Sequence, residues 1–294
     1  MDRPNCTAIP FLRIAPGLVY MYTHFDFHGR KRPMKMTRRV LQEKPAGLYT
    51  GILSAPARKK LIRSINLLVA IALPKKAMHF DSGREFTFRV NFITLTLPAP
   101  QGDVTDDQLK KICLKSWIEY WKDKLPGLSY VWRAERQKNG NLHFHLCCDR
   151  YILYSDLRDT WNNRLAKFHF IDAFEKKHQH RHPNSTDVHG VKNIRNLGAY
   201  IAKYMSKTES VSQPISGKVW DCSANLKRKD QCSFHVDHAT HTHFERIRSQ
   251  IPGECFDSEF CSGFRASENL MHKILPVKWQ VEYSAYLARI RSIS

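Results

Sequence analysis

One stretch of this chain has few ways to fold. Two apolar-rich runs, residues 128–136 and 142–148, are separated by Asn139-Gly140. An Asn-Gly pair between two such runs supplies the left-handed backbone of a tight turn, so the segment predicts a β-hairpin. Alternate residues of a strand share a face. His143 and His145 therefore point one way, while Leu142, Phe144 and Leu146 point into a core.

The hairpin register decides what else lies beside the two histidines. A two-residue Asn139-Gly140 loop pairs Lys138 with Asn141 and leaves Glu135 facing the core alone. A three-residue loop, with Gly140 left-handed in a bulge, pairs Gln137 with Asn141 and sets Glu135 opposite His143 on the same face. A lone buried carboxylate is costly, so the second register is expected. Two imidazoles and a carboxylate with open positions can hold Mg²⁺ or Mn²⁺, and such an ion polarises a phosphate. The plainer account is two surface histidines on a half-exposed strand. Glu135 and the helix described next weigh against it.

Residues 193–207 predict a helix. Tyr200, Lys203, Tyr204 and Lys207 fall within one arc of about 100°, beside a packing stripe of Ile194, Leu197, Ile201 and Met205. A phenol with a pKa near ~10 needs help to attack at neutral pH. Neighbouring lysines favour the phenolate and neutralise a phosphate. Alternatively the tyrosines border the core and the lysines snorkel past them. The Tyr-X-X-Lys pattern, repeated in register, speaks for the reactive reading.

Charge names the partner. Lys and Arg number 47 against 27 Asp and Glu, giving +20 and a pI near 9.7. Such an excess attracts polyanions, nucleic acid first among them. Arg133, Arg136, Lys138, Lys192 and Arg195 flank the site and are expected to meet phosphates, with binding that weakens as salt rises. For Trp132, base stacking and a core role are both open. The longest apolar run, residues 67–73, falls short of the ~20 residues of a membrane span. The opening residues Met1-Asp2-Arg3-Pro4 lack the apolar stretch of a secretory signal. Adjacent Cys147 and Cys148 suit a reducing cytosol, so a cytoplasmic protein is expected. The cysteines and histidines after residue 220 fit no paired-ligand spacing, which leaves zinc there as a minority option.

Three parts are expected along the chain: a basic extension over 1–84, a compact core over 85–210 and a further extension over 211–294. In the first, residues 57–73 read as a helix ended by Pro74. The core reads as a strand over 88–97, a helix over 105–124, the hairpin, a helix from Ser155 to about Leu165, a polar loop over 178–185, a short strand over 188–191 and the tyrosine helix. The order β-α-β-β-α-β-α suits an α+β fold with an antiparallel central sheet and flanking helices, of ferredoxin type. Residues 220–226 read as a loop, and 271–293 as a short strand and a final helix.

Taken together, these motifs resemble those of the HUH endonucleases that initiate rolling-circle replication, most of all the replication initiators of microviruses, the small single-stranded DNA phages. Phe92-Ile93-Thr94-Leu95-Thr96-Leu97 is similar to their first motif and His143-Phe144-His145 to the HUH motif. Residues 188–192 and 200–204 are similar to the third motif and its approach, and residues 220–226 to a run that follows it. The resemblance covers about residues 85–228. It implies a core like the HUH fold, a metal held by His143, His145 and Glu135, and catalysis by Tyr200 and Tyr204 with Lys203 and Lys207. One tyrosine would cut single-stranded DNA at an origin, stay joined to the 5′ phosphate and free a 3′ hydroxyl. The second tyrosine, or that hydroxyl, would then close a circle. Which tyrosine acts first, and whether both act, stays open. A host polymerase would extend the 3′ end and a host helicase would unwind, in a bacterial cytoplasm. A transposase or relaxase of the same chemistry is the nearer alternative. A non-catalytic binder of single-stranded nucleic acid is the alternative from another class.

Overall fold

The structure, a computed structural model, describes residues 6–27, 51–78, 83–190, 201, 205, 214–228, 231–258 and 261–293. The chain divides into two compact units. One comprises Tyr49–Arg228 with Ala288–Ser294, the other Met1–Leu48 with Lys229–Leu287. These limits differ from the expected ones at residues 84 and 210.

The smaller unit begins with the hairpin β1 (Cys6–Ala15) and β2 (Leu18–Phe27). Its turn is Pro16-Gly17, with Gly17 at a φ of 76° that a side chain would resist. The segment expected as a basic leader thus contains sheet.

The larger unit opens with helix α1 (Ala55–Ile71). Ser54 caps it by accepting from the Ala57 N–H, Pro56 sits in its first turn, and Pro74 bars its continuation. The ribbon β3 (Lys75–Met78) and β4 (Glu85–Phe88) follows. Then comes β5 (Asn91–Leu95) and a helical stretch in three pieces: α2 (Asp106–Gln108), a π-helical segment Leu109–Lys115, and α3 (Ser116–Lys124). Thr105 and Gln108 form a reciprocal capping box at its start. The hairpin is β6 (Tyr130–Arg136) and β7 (Leu142–Cys148). Helices α4 (Tyr154–Leu165) and α5 (Asp172–His178), then strands β8 (Thr186–Gly190) and β9 (Trp220–Cys222), complete the series.

The main sheet runs β8-β5-β7-β6-β9, antiparallel throughout. Its first four strands, in chain order 4-1-3-2, form the βαββαβ arrangement of a ferredoxin-like fold. The expected α+β class with an antiparallel sheet is the observed one. Trp220–Cys222, read from sequence as loop, instead adds an edge strand against β6. Helix α5 has no counterpart in the expectations.

Both faces of this sheet are covered over part of their area. On one, Phe144 meets Trp161 of α4, with ring centroids 6.1 Å apart, and Trp132 at 6.3 Å. Trp117 of α3 packs edge-on to Trp161 and donates to Thr160 Oγ1, and the Trp161 indole donates to the Thr96 carbonyl. Trp132 therefore belongs to the core. On the other face α1 lies against β9, with Cys222 Sγ 3.6 Å from Ser64 Oγ. Covered twice, β6 and β7 bury consecutive residues at one end, Val131–Ala134 and Leu146–Cys148. Toward the turn the alternation returns, and there the histidines emerge.

The smaller unit continues with β10 (Cys232–His235), α6 (His238–Gln250), β11 (Cys255–Asp257), β12 (Cys261–Arg265), α7 (Glu268–Ile274) and α8 (Val277–Arg291). Its sheet runs β10-β1-β2-β12-β11, again antiparallel. Leu12, Ile14, Val19 and Phe264 are buried on one side. There Phe244 of α6 contacts Phe264, and Trp279 of α8 stacks on Phe234. The last segment is two helices, where a short strand and one helix were expected. No described helix is long and apolar enough to cross a membrane.

Candidate metal centre

The site is built by the turn. Gly140 takes a φ of 84° and its N–H donates to the Gln137 carbonyl at 2.9 Å, while the Gln137 N–H donates to the Asn141 carbonyl at 2.9 Å. This is the three-residue bulged loop, and it pairs Glu135 with His143 and Arg133 with His145. Side chains hold the loop in place. Asn141 donates to the Ala99 carbonyl and accepts from the Gln101 N–H, and Gln101 in turn accepts from the Leu142 N–H.

Glu135, His143 and His145 thus meet on one face, with one ligand atom from each lying within 4.8 Å of the others. Glu135 Oε2 is 3.3 Å from His145 Nε2 and 3.6 Å from His143 Nε2, and all three side chains are 15–17% exposed. Burial works against the Glu135 charge. The two histidines and the Arg133 guanidinium outweigh it and hold the carboxyl well below the usual carboxylate range. The Thr94 hydroxyl, 3.2 Å from His145 Nδ1, can accept a proton there and leave Nε2 as the ligand nitrogen. The Phe92 ring stacks on His145 at 5.3 Å and fixes its plane.

The donor set fits a divalent cation. Among the described residues, neither buried ring nitrogen of His143 finds a hydrogen-bond partner, nor does Glu135 Oε1. Buried polar atoms are seldom left so, and a cation among the three ligands would satisfy them. No second such group of His, Cys, Asp or Glu occurs among the described residues, including the histidines and cysteines described after residue 220.

Arg133 is not where a phosphate-binding residue is expected. Its side chain is 2% exposed and its Nη1 lies 3.2 Å from Glu135 Oε1. The same nitrogen donates to the Met205 carbonyl. Met205 Sδ also lies 3.4 Å from Cys147 Sγ, and Cys147 shares the triad's face. Ile201 and Met205 are helical and buried, one turn apart as the packing stripe requires. Tyr200, Lys203, Tyr204, Lys207, Lys192 and Arg195 lie outside the described residues.

Arg136 is also engaged within the protein. It binds Asp106 Oδ2 at 2.6 Å, and that carboxylate further accepts from the Ser216 N–H and from Gln101. Lys138 is exposed at the turn.

Residues 90–209 match the family model of the replication-associated protein ORF2. The match runs from β5 through the triad and β8 to the Met205 segment, less than half of the chain. It is consistent with a rolling-circle replication initiator, and it associates this part of the molecule with DNA replication. No curated protein and no solved structure matches the chain.

Sequence reasoning missed the Arg133 link and the Thr94 support. Thr94 was within reach, because the alternation of β5 puts it on the His145 face once β5 and β7 are paired. Arg133 was not, because its burial depends on what covers the sheet.

Proposed function

We propose that this protein is a replication initiator that nicks and rejoins single-stranded DNA through a 5′-phosphotyrosyl intermediate. The observation that carries this reading is the Glu135-His143-His145 cluster, joined through Arg133 to the backbone of Met205. That residue directly follows the Tyr-X-X-Lys-Tyr run in sequence. The family match and the charge of +20 support DNA as the substrate.

Mn²⁺ or Mg²⁺, held by Glu135, His143 and His145, would act as a Lewis acid on the scissile phosphate. The chain's own residues do the rest. Tyr200 or Tyr204 gives up its phenolic proton to solvent and its oxygen bonds to phosphorus. The bond from phosphorus to the 3′ oxygen breaks, and that oxygen leaves as a hydroxyl after taking a proton. Lys203 and Lys207 lower the cost of the phenolate. The phosphotyrosyl ester keeps the bond energy, so a 3′ hydroxyl or the second tyrosine can later displace the first without an external energy source. Thr94 keeps His145 in one tautomer, and Arg133 holds the carboxylate and the Met205 segment together. Unwinding and synthesis fall to a separate helicase and polymerase.

A covalent-adduct assay tests this. The protein is mixed with circular single-stranded DNA and Mn²⁺ and run on a denaturing gel. The expected result is an adduct lost with chelator and in Tyr200→Phe/Tyr204→Phe, with the single variants assigning the nucleophiles. Binding without an adduct, on cognate origin DNA as well, would leave a non-catalytic single-strand binder.

A further inference from the structure

The smaller unit carries a surface that the metal centre does not use. One face of its sheet is packed by α6 and α8. The other is aromatic. Register pairs Phe11 with Tyr22 and with His235, and Arg13 with Tyr20 and with Ser233, so these side chains form rows across three strands. The rings of Phe11 and Tyr22 are stacked, with centroids 5.8 Å apart and planes at 20°. Tyr20 lies 5.8 Å from Tyr22, and His235 lies 4.5 Å from Phe11.

Arg13 holds the tyrosines in place. Its Nη1 donates to the Tyr20 hydroxyl at 2.9 Å and its Nη2 to the Tyr22 hydroxyl at 2.7 Å. Its guanidinium carbon is 4.6 Å from the Tyr22 ring centroid. Gly263 extends the surface. A Cβ there would lie 2.5 Å from the Phe256 ring and 2.7 Å from Tyr20 Cβ, so its absence lets Phe256 lie across the sheet beside Tyr20.

Phe11, Arg13, Tyr20, Tyr22 and Phe256 are all half-exposed. Folding does not ask for this, since the solvent side of a one-sided antiparallel sheet is ordinarily polar. Rings fixed in place with their faces partly open are what stacking of unpaired bases needs. The charge of the face agrees, with Arg13 and Arg265 against Asp26 at its far end.

We propose that this face is a second single-strand binding site, in which bases stack on Phe11, Tyr22, Tyr20 and Phe256 beside the Arg13 guanidinium. Every base has a π-face, so the site is tolerant of sequence. It would hold the strand without choosing the origin. That the strand is DNA rests on the proposed function; the stacking chemistry does not.

The test uses the full chain, a fluorescein-labelled oligothymidylate of about 16 nucleotides, and chelator, so that no cleavage intervenes. Phe11→Ala/Tyr22→Ala is expected to weaken binding by about tenfold or more, and Tyr22→Trp to stay within about twofold of the unsubstituted protein. Photo-crosslinking of an iodouracil-containing strand to the unsubstituted protein is expected to mark residues 6–27. Unchanged affinity in the double variant, or crosslinks confined to 90–209, overturns the proposal. Should the double variant not fold, the crosslink map alone decides. Failure of the adduct assay with affinity still lost in the platform variant removes the nicking reading and leaves this one standing; the opposite pair of results removes this one.

Discussion

Replacing Arg133 with methionine removes one buried charge and keeps most of the volume. Breaking a buried ion pair by deleting one partner costs ~3–5 kcal/mol. Glu135 retains 15% exposure, which favours the lower end of that range. The Met205 carbonyl also loses a charged donor, a contact of ~1.5–3 kcal/mol when considered alone. The two losses share one guanidinium and do not simply add, so about 3 kcal/mol is expected. Urea unfolding followed by tryptophan fluorescence reports it well, because Trp117, Trp121, Trp132, Trp161 and Trp220 lie in the larger unit and only Trp279 in the other. A double-mutant cycle then separates the causes. If Arg133 chiefly compensates the Glu135 charge, Arg133→Met/Glu135→Gln loses less than the two single losses together, by ~1–2 kcal/mol. Mn²⁺ should reduce the cost of Arg133→Met alone, since a cation at the triad takes over the same charge. Losses that add within ~0.5 kcal/mol, with no effect of Mn²⁺, would refute the link.

Thr94→Val should lower Mn²⁺ affinity by about 10- to 100-fold while leaving the unfolding midpoint nearly unchanged; calorimetric titration with equal affinity in both proteins would remove Thr94 from the site. His143→Ala and Glu135→Gln should each abolish the rise in melting temperature that Mn²⁺ gives the unsubstituted protein, and a persisting rise would place the ion elsewhere. Gly140→Ala forces a side chain onto a φ of 84° and should cost ~1–2 kcal/mol, with Gly140→Asn milder; equal stability of all three would contradict the bulged turn. Burial pushes the Cys113 and Cys148 thiols up to about 12, so near pH 8 only about one part in ten thousand is thiolate. Both should resist alkylation until the protein unfolds, whereas half-exposed Cys255 and Cys261 react in the native state, and mass mapping of the labelled peptides checks this.

What sequence made legible here was local, and what it hid was what lies over the sheet. Asn139-Gly140 and the cost of burying a lone carboxylate were enough to choose between two registers one residue apart, and with the register came the triad. The ferredoxin order followed from element order, because β5, the helices and the hairpin each carry their own period or cap. Arg133 was misplaced on the same reasoning that placed Glu135. The two share a face, but alternation gives a face and not its covering, and along β6 the covering changes from the buried Val131–Ala134 to the partly open Glu135. Cys6–Phe27 stayed unread for a related reason. Its hairpin has partners more than 200 residues away, at Phe11↔His235 and Tyr22↔Cys261. Only when those strands meet do Phe11, Tyr20 and Tyr22 become a row rather than scattered aromatics. Chemistry that depends on a turn can be read from one segment, whereas chemistry that depends on a surface needs the strands assembled.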